Sequence, residues 1–281
     1  MAIVRNDTLS VPGANLYYEV RGSGPMLLMI HGAGGNLFFE VVDHLVDRFT
    51  VVTYDRRGYS RSQLFGPDED YRVETHSDDV HRLLAELTDK PAYVFGSSAG
   101  AVIGLDFALR HPEQVRMFIP HEPPLVQLLS GEEQVEVQQI MVELQENHRK
   151  EGAIPAVMKF SSTSLGGGVA LDGAGSAHHQ IAAAQMELIH RNMEYFAAHE
   201  ALGISSYTLV DGASLSNRLQ SASTRVLPAG GRMSRPFLPY RSTVALAEQL
   251  GTTMVEFPGD HTGYTTFPRE FADRLVDLFE K

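Results

Sequence analysis

The chain has 281 residues, 43% apolar and 21% charged, an ordinary balance for a globular protein and enough length for one large α/β domain with an insertion. It has no cysteine, which excludes disulfides, thiolate metal sites and a cysteine nucleophile. The formal net charge of −12 disfavours non-specific nucleic-acid binding, and no run reaches the roughly 18 uninterrupted apolar residues of a membrane helix. The start lacks a basic region followed by an apolar stretch, so the expectation is a cytoplasmic protein with neither nucleic acid nor membrane as partner.

Residues 16–20 alternate apolar and polar and read as a strand, followed by the turn Arg21-Gly22-Ser23-Gly24-Pro25. Residues 26–30, 49–54 and 92–95 are short continuous apolar runs, the pattern of strands buried on both faces. Between them, 38–46 and 75–87 read as helices, the latter with Val80, Leu83, Leu84 and Leu87 on one face. A helix over 99–110, stopped near Pro112, precedes another buried strand at 115–119. Apolar strands alternating with amphipathic helices predict an α/β fold, a mostly parallel, doubly wound sheet covered on both faces.

At Pro123-Pro124 the rhythm changes. Residues 132–150 and 177–198 read as helices, and the glycine-rich stretch 164–176 between them as a surface connection. No Gly-Lys-Ser/Thr follows those glycines, so they do not form a phosphate loop. Strand and helix then alternate again, with strands at 224–227 and 253–257 and helices at 242–250 and 269–279. The expected organisation is a core made of 1–124 and 222–281 with a helical cap, 125–221, inserted between its parts.

Gly96-Ser97-Ser98-Ala99-Gly100 lies between the 92–95 strand and the 99–110 helix. This is Gly-x-Ser-x-Gly in the strand–turn–helix context that a nucleophile elbow needs, with Ser98 in the exposed, strained position. The flanking glycines let backbone segments approach closely, and the helix N-terminus places partial positive charge near a developing oxyanion. Ser97 is in the wrong register to attack. Acyl transfer also needs two N–H donors aimed at the tetrahedral oxygen. Ala99, after the nucleophile, is one candidate. The loop His31-Gly32-Ala33-Gly34-Gly35, after the 26–30 strand, supplies the other, Ala33 first and Gly32 next.

These two motifs, with Asp55-Arg56-Arg57-Gly58-Tyr59-Ser60-Arg61-Ser62, resemble the α/β-hydrolase superfamily, which often carries Asp-x-Arg-Gly-x-Gly-x-Ser at this point; Ser60 stands where that pattern has its last glycine. The resemblance covers the chain on both sides of the expected cap and not the cap itself. It implies that the base is His261, in Phe257-Pro258-Gly259-Asp260-His261-Thr262-Gly263-Tyr264, after the last strand and before the final helix. Of the other histidines, His178, His179 and His190, the last four residues before Glu194, lack the further ligands of a metal site, while His31 and His121 are pocket-edge candidates by position. No cofactor is expected.

The resemblance places the third residue, the acid, after the 224–227 strand, near Met233, and no carboxylate stands there. Glu122, in Pro120-His121-Glu122-Pro123-Pro124 directly after the 115–119 strand, is the replacement; haloalkane dehalogenases and zearalenone lactonases are families with the acid at this place. Neighbouring strand ends reach one imidazole from either side. Asp260 is the second candidate, with poor geometry through its adjacency to His261, and Asp106 lies two helical turns beyond Ser98. The expectation is a Ser-His-Glu esterase or lactonase acting on a small to medium apolar molecule. Other chemistry on the same fold (C–C hydrolysis, perhydrolysis, hydroxynitrile lysis) and a non-catalytic binding protein stay open, as does a homodimer. Met141, Met158, Phe160, Met186, Met193, Tyr195 and Phe196 are read as packing first and pocket lining second.

Overall fold

Strand β3 (Met26–Ile30) shows how the architecture arises. Successive side chains of a strand point to opposite faces, and here every face is apolar. Leu27 and Met29 enter one core cluster, Leu28 and Ile30 the other. A strand with no polar face must be covered on both sides, so helices pack above and below it. The computed structural model describes residues 4–65, 70–165, 183–209, 217 and 224–280.

In chain order the elements are β1 (Val4–Val11), β2 (Ala14–Gly22), β3, α1 (Phe39–Asp43), β4 (Thr50–Tyr54), β5 (Gln63–Leu64), α2 (Val73–Leu87), β6 (Ala92–Ser97), α3 (Ala99–Arg110) and β7 (Val115–His121). There follow α4 (Gly131–Glu151), α5 (Ala153–Ser164), α6 (Ala183–Tyr195), a π-helical turn (Phe196–Glu200) and α7 (Ala201–Ser206). The chain then forms β8 (Arg225–Val226), β9 (Ala229–Gly231), α8 (Leu238–Gln249), β10 (Val255–Phe257), α9 (Gly263–Thr266) and α10 (Pro268–Phe279). The described strands make one sheet in the order β1-β2-β4-β3-β6-β7-β9-β10, with β5 also paired to β2 and β8 to β7, parallel from β4 onward and antiparallel at β1, β2 and β5. Helices α2, α3 and α8 cover one face, α1 and α10 the other.

Strand β1 was not anticipated. Its residues are mostly exposed and polar, so no hydrophobic alternation marks it; it forms by pairing along its whole length with β2. Helix α1 is shorter than the 38–46 expected, because turns take over after Asp43. Helix α8 starts earlier than 242, with Pro239 in its first turn. The start of the helix expected over 177–198 lies outside the described residues, as do His178, His179 and most of the glycine-rich stretch.

Helix α4 opens on a capping box in which Ser130 Oγ accepts from Glu133 N–H and Glu133 Oε2 accepts from Ser130 N–H, and it ends on His148, Arg149 and Lys150, favourable at the negative end of the dipole. With α5, α6 and α7 it buries a cluster of its own, including Leu144, Ala156, Val157, Met193 and Phe196, and Ala33 packs against that cluster. Among the described residues no helix is long and apolar enough to cross a membrane.

The sheet order sets the place for chemistry. From β3 the chain moves outward to β4, then returns to the other side of β3 with β6. At such a switch point the loops after the two strands diverge and leave a crevice beyond their carboxyl ends. The loop after β3 begins at His31 and the loop after β6 at Ser98.

Candidate active site

Ser98 sits between β6 and α3 at φ 55° and ψ −123°, a conformation that costs energy for any residue with a side chain. The residues two before and two after it are glycine because nothing else fits. A Cβ on Gly96 would stand 2.6 Å from the Gly100 oxygen, and one on Gly100 would stand 2.2 Å from the Ile30 oxygen. The Ser98 N–H donates to the His121 oxygen at 2.9 Å, which ties the turn to the end of β7. Ala99 opens α3, where a helix leaves its first N–H groups without intrahelical partners.

The loop after β3 lies against this turn. A Cβ on Gly32 would come to 3.0 Å from Ser98 Cβ and 3.2 Å from the Ser97 oxygen, so glycine eases that approach. Ala33 and Gly34 follow along the same cavity wall.

His261 lies in the loop after β10. Its Nδ1–H donates to Glu122 Oε2 at 2.5 Å. A carboxylate only accepts, so the pairing assigns the ring proton to Nδ1 and leaves the Nε2 lone pair free. Glu122 is itself fully buried and held at φ 50°. Its N–H donates to the Ala229 oxygen at 2.9 Å, and its Oε1 accepts from Gly231 N–H at 2.7 Å. Both carboxylate oxygens are thus engaged. Burial pushes the Glu122 carboxyl up, but His261, His121 and the Gly231 N–H outweigh burial and hold it below its ordinary range. The carboxyl is therefore ionised in the folded chain at neutral pH.

The other acids do different work. Asp260 Oδ1 accepts from the N–H of Thr262 at 2.9 Å and its hydroxyl at 3.1 Å, which closes the turn around His261. Asp106 accepts from Tyr207 OH at 2.8 Å, away from the serine. Met233, at the place where the superfamily keeps its acid, is 65% exposed. The backbone two residues earlier, Gly231, instead braces Glu122.

Ser98, His261, Gly32, Ala33 and Ala99 line one cavity of about 120 Å³, roofed by Met141, Val157, Phe160, Met193 and Phe196. Of the side chains expected first as packing, Met141, Phe160, Met193 and Phe196 do both, packing in the helical cluster and lining the cavity, whereas Met158 is exposed and Tyr195 packs on Gly58 and Tyr59. The side chain of Met186 lies outside the described residues.

Two histidines move from the expected pocket edge into the interior. His31 is 1% exposed beneath the β3 loop, with Nε2 accepting from Arg56 N–H at 3.1 Å. His121 is fully buried among Phe95, Phe257, Phe271 and Tyr264, and neither ring nitrogen has a hydrogen-bond partner among the described residues. The reason is the pleat: His121 is the last residue of β7, pointing into the apolar face, while the next residue, Glu122, leaves the strand toward His261. Ser60, the departure from the family pattern, takes φ 45° without being glycine. Asn192 of α6 compensates, accepting from Ser60 N–H at 2.8 Å and donating to its Oγ at 3.0 Å and to the Gly34 oxygen at 3.3 Å. Gly231, Asn192 and Glu200 escaped the sequence reading. The one local sign was Glu200, beside His199 in a stretch otherwise rich in apolar residues such as Phe196, Ala197, Ala201 and Ile204. Among the described residues no group of three or more histidines and carboxylates is placed to hold a metal ion.

A doubly wound sheet whose strand-end loops after β3, β6, β7 and β10 converge on one cavity is the arrangement of an α/β hydrolase, and the chain belongs to that family. Residues 25–150 match the family described as the alpha/beta hydrolase fold. An uncharacterized hydrolase of Bacillus subtilis, YraK, is 52% identical over 280 residues, which is 99% of this chain and 97% of that protein. A zearalenone hydrolase of Cladophialophora bantiana is 33% identical over 126 residues, 43% of this chain and 48% of that one. Among solved structures, the enol-lactonase of Burkholderia xenovorans LB400 superposes with a TM-score of 0.74 at 19% identity, covering 98% of this chain and all of that one, a likeness of fold.

Proposed function

We propose that this protein is a serine hydrolase that cleaves a carboxylic ester or lactone through an acyl-enzyme, with Ser98 as nucleophile, His261 as base and Glu122 as the orienting acid. The observation that carries the reading is the His261–Glu122 hydrogen bond on the wall of a cavity that also holds a serine in a strained turn. In the proposed cycle Ser98 Oγ attacks the carbonyl carbon and gives its proton to His261 Nε2. The carbonyl oxygen becomes an oxyanion facing the N–H groups of Ala33 and Ala99, with Gly32 beside them. The C–O bond to the alcohol breaks as His261 returns the proton to the leaving oxygen. Water then attacks the acyl-enzyme by the same route and the acid departs. Glu122 stays ionised throughout, holding the ring and offsetting its transient positive charge.

Helices α4 to α7 act as a cap over this cavity. The apolar roof and the modest volume suit a small acyl or alkoxy group, since a dry apolar cavity of about 150 Å³ already admits benzene. The relative named zearalenone hydrolase supports a lactone among the candidates.

Turnover of a panel of p-nitrophenyl esters and aliphatic lactones, with wild type beside Ser98→Ala, tests the reading. A loss of at least about 10⁴-fold in kcat for the variant is expected. Equal turnover by both proteins would falsify it.

A further inference from the structure

Arg56 lies in the loop after β4, two residues beyond the end of the strand. It is fully buried, and its guanidinium meets a second fully buried charge, Glu200, which comes from the π-helical turn of the cap. The contact is a two-pronged fork: Nη1 to Glu200 Oε2 at 2.7 Å and Nη2 to Oε1 at 3.0 Å. The same Nη2 donates to the Gly32 oxygen at 3.1 Å. Burial works against the charge on Arg56, and Glu200 outweighs burial, so the guanidinium stays protonated.

His31 completes the arrangement. Burial, then Arg56, push its imidazole well below the ordinary range, so the ring is neutral. A backbone N–H is always a donor, so Nε2, which faces Arg56 N–H, is the accepting nitrogen. The proton is therefore on Nδ1, which donates to the Gly32 oxygen at 2.7 Å. Arg56 Nε, 3.5 Å from that Nδ1, faces another donor and makes no bond to it. A third, longer contact to the Gly32 oxygen, from Gly35 N–H at 3.3 Å, closes the loop's turn.

Peptide geometry converts these contacts into direction. The Gly32 carbonyl and the Ala33 N–H belong to one planar trans peptide and point opposite ways. Donors that draw the carbonyl inward toward Arg56 and His31 turn the N–H outward, on the cavity side where Gly32 meets Ser98. A cation on the carbonyl also polarises the peptide and strengthens its N–H as a donor.

We propose that Glu200 is a positioning residue of the oxyanion hole: by fixing Arg56 on the Gly32 carbonyl, it aims the Ala33 N–H at the oxygen of the tetrahedral intermediate. The inference rests on the serine-hydrolase reading above. The π-turn is the device that brings Glu200 to Arg56. Residues five apart in an unbroken α-helix point about 140° from each other. Yet Tyr195 packs on Gly58 and Glu200 binds Arg56, both on the face turned to the core loops. The extra residue of a π-turn restores that alignment, and such turns gather at functional sites. Asn192, a turn earlier, holds Gly34 of the same loop. The cap and the oxyanion loop are thus one mechanical unit.

The experiment compares wild type, Arg56→Lys and the double variant Arg56→Met with Glu200→Met, using p-nitrophenyl acetate as substrate and phenylboronic acid as a tetrahedral mimic. Thermal unfolding accompanies each. Apolar replacement of both charges avoids stranding one of them in the interior. Lysine keeps the charge but lacks the planar fork that spans Glu200 and Gly32 together. The expected result is a fall in kcat of about 10- to 100-fold with KM within about twofold, and a parallel loss of boronate affinity, in both folded variants. Wild-type kcat in the folded double variant overturns the assignment. If the double variant does not fold, Arg56→Lys decides: reduced kcat at unchanged KM supports the assignment, and wild-type kcat overturns it. Failure of the underlying reading looks different. A fluorophosphonate that leaves Ser98 of the wild type unlabelled removes the serine-nucleophile reading, whereas full labelling with unaffected variants removes the positioning role alone.

Discussion

Two glutamates, Glu122 and Glu200, are both fully buried, yet their partners differ in kind. Glu122 faces an imidazole, and Glu200 faces a guanidinium. An imidazole exchanges its proton near neutral pH, while a guanidinium keeps it under all conditions in which proteins fold. In the proposed mechanism the first pair is the one that gains and loses charge within each turnover. The second suits a group that must only stay in place. Their surroundings agree with this division. Glu122 hangs on strand ends that the sheet holds rigidly, with Gly231 N–H on its second oxygen. Glu200 crosses from the helical layer to the loop after β4. Burial of a carboxylate thus says little about its role; the titration range of its partner says more.

The sharpest break of that comparison is at the proton-moving end. His261→Ala is expected to lower kcat by about 10⁶-fold, close to the loss from Ser98→Ala, because nucleophile and base act as a unit. Steady-state hydrolysis of p-nitrophenyl butyrate measures both, and a double variant no worse than either single one is the signature of that unit. Glu122→Gln comes next. The amide keeps the volume but removes the charge that steadies the imidazolium and the acceptor that assigns Nδ1–H, so a loss of about 10³- to 10⁴-fold in kcat is expected with little change in KM. A mild effect would move Glu122 from chemistry to scaffolding.

Much of the candidate triad was legible in the chain as a set of neighbours, and much of the clamp was not. Gly96 and Gly100 announce close backbone approach because only glycine tolerates it, and the strand and helix around Ser98 are strong local signals. Glu122 was readable only through the resemblance, which calls for an acid, finds none near Met233, and includes families that carry theirs after the strand preceding Glu122. The clamp depends on distance in the fold. Arg56 and Glu200 are separated by more than half the length of the chain, and no local pattern encodes the π-turn that aligns them. His121 was misplaced for a subtler reason: one residue of strand register decides whether a side chain enters the core or the crevice. Strand β1 escaped because pairing, not burial, holds it.

His121 offers a third, smaller test, of how far burial alone controls a titratable group beside the working pair. Burial pushes its imidazole down to about 4, against the opposing pull of Glu122, from an ordinary 6.5. The folded value is the lower one, so the unfolded chain takes up a proton that the native state refuses. Stability is accordingly lost as pH falls from about 6.5 toward 4, in total by about 3 kcal/mol, and levels off below that. His121→Phe removes a ring with no hydrogen-bond partner among the described residues and keeps an aromatic shape among Phe95, Phe257 and Phe271. Urea unfolding at pH 7 and pH 5 should show the variant losing about 2 kcal/mol less than wild type over that interval. Parallel losses in the two proteins would mean that the ring is not held neutral by its surroundings.

The smallest expected effect carries the most information about which acid serves His261. Asp260 is adjacent in sequence and lines the same cavity, so proximity alone would favour it over Glu122. Hydrogen-bond accounting decides otherwise. The imidazole has one N–H in its neutral form, and that N–H is given to Glu122 Oε2. Asp260 Oδ1 is occupied by the backbone and hydroxyl of Thr262. Asn at this position keeps an oxygen able to accept both, so Asp260→Asn preserves the turn and removes only a charge. Its kcat should stay within about twofold to threefold of wild type, where Glu122→Gln falls by orders of magnitude. If the two variants exchange behaviour, the imidazole is oriented from its own loop, and the carboxylate after β7 is merely buried.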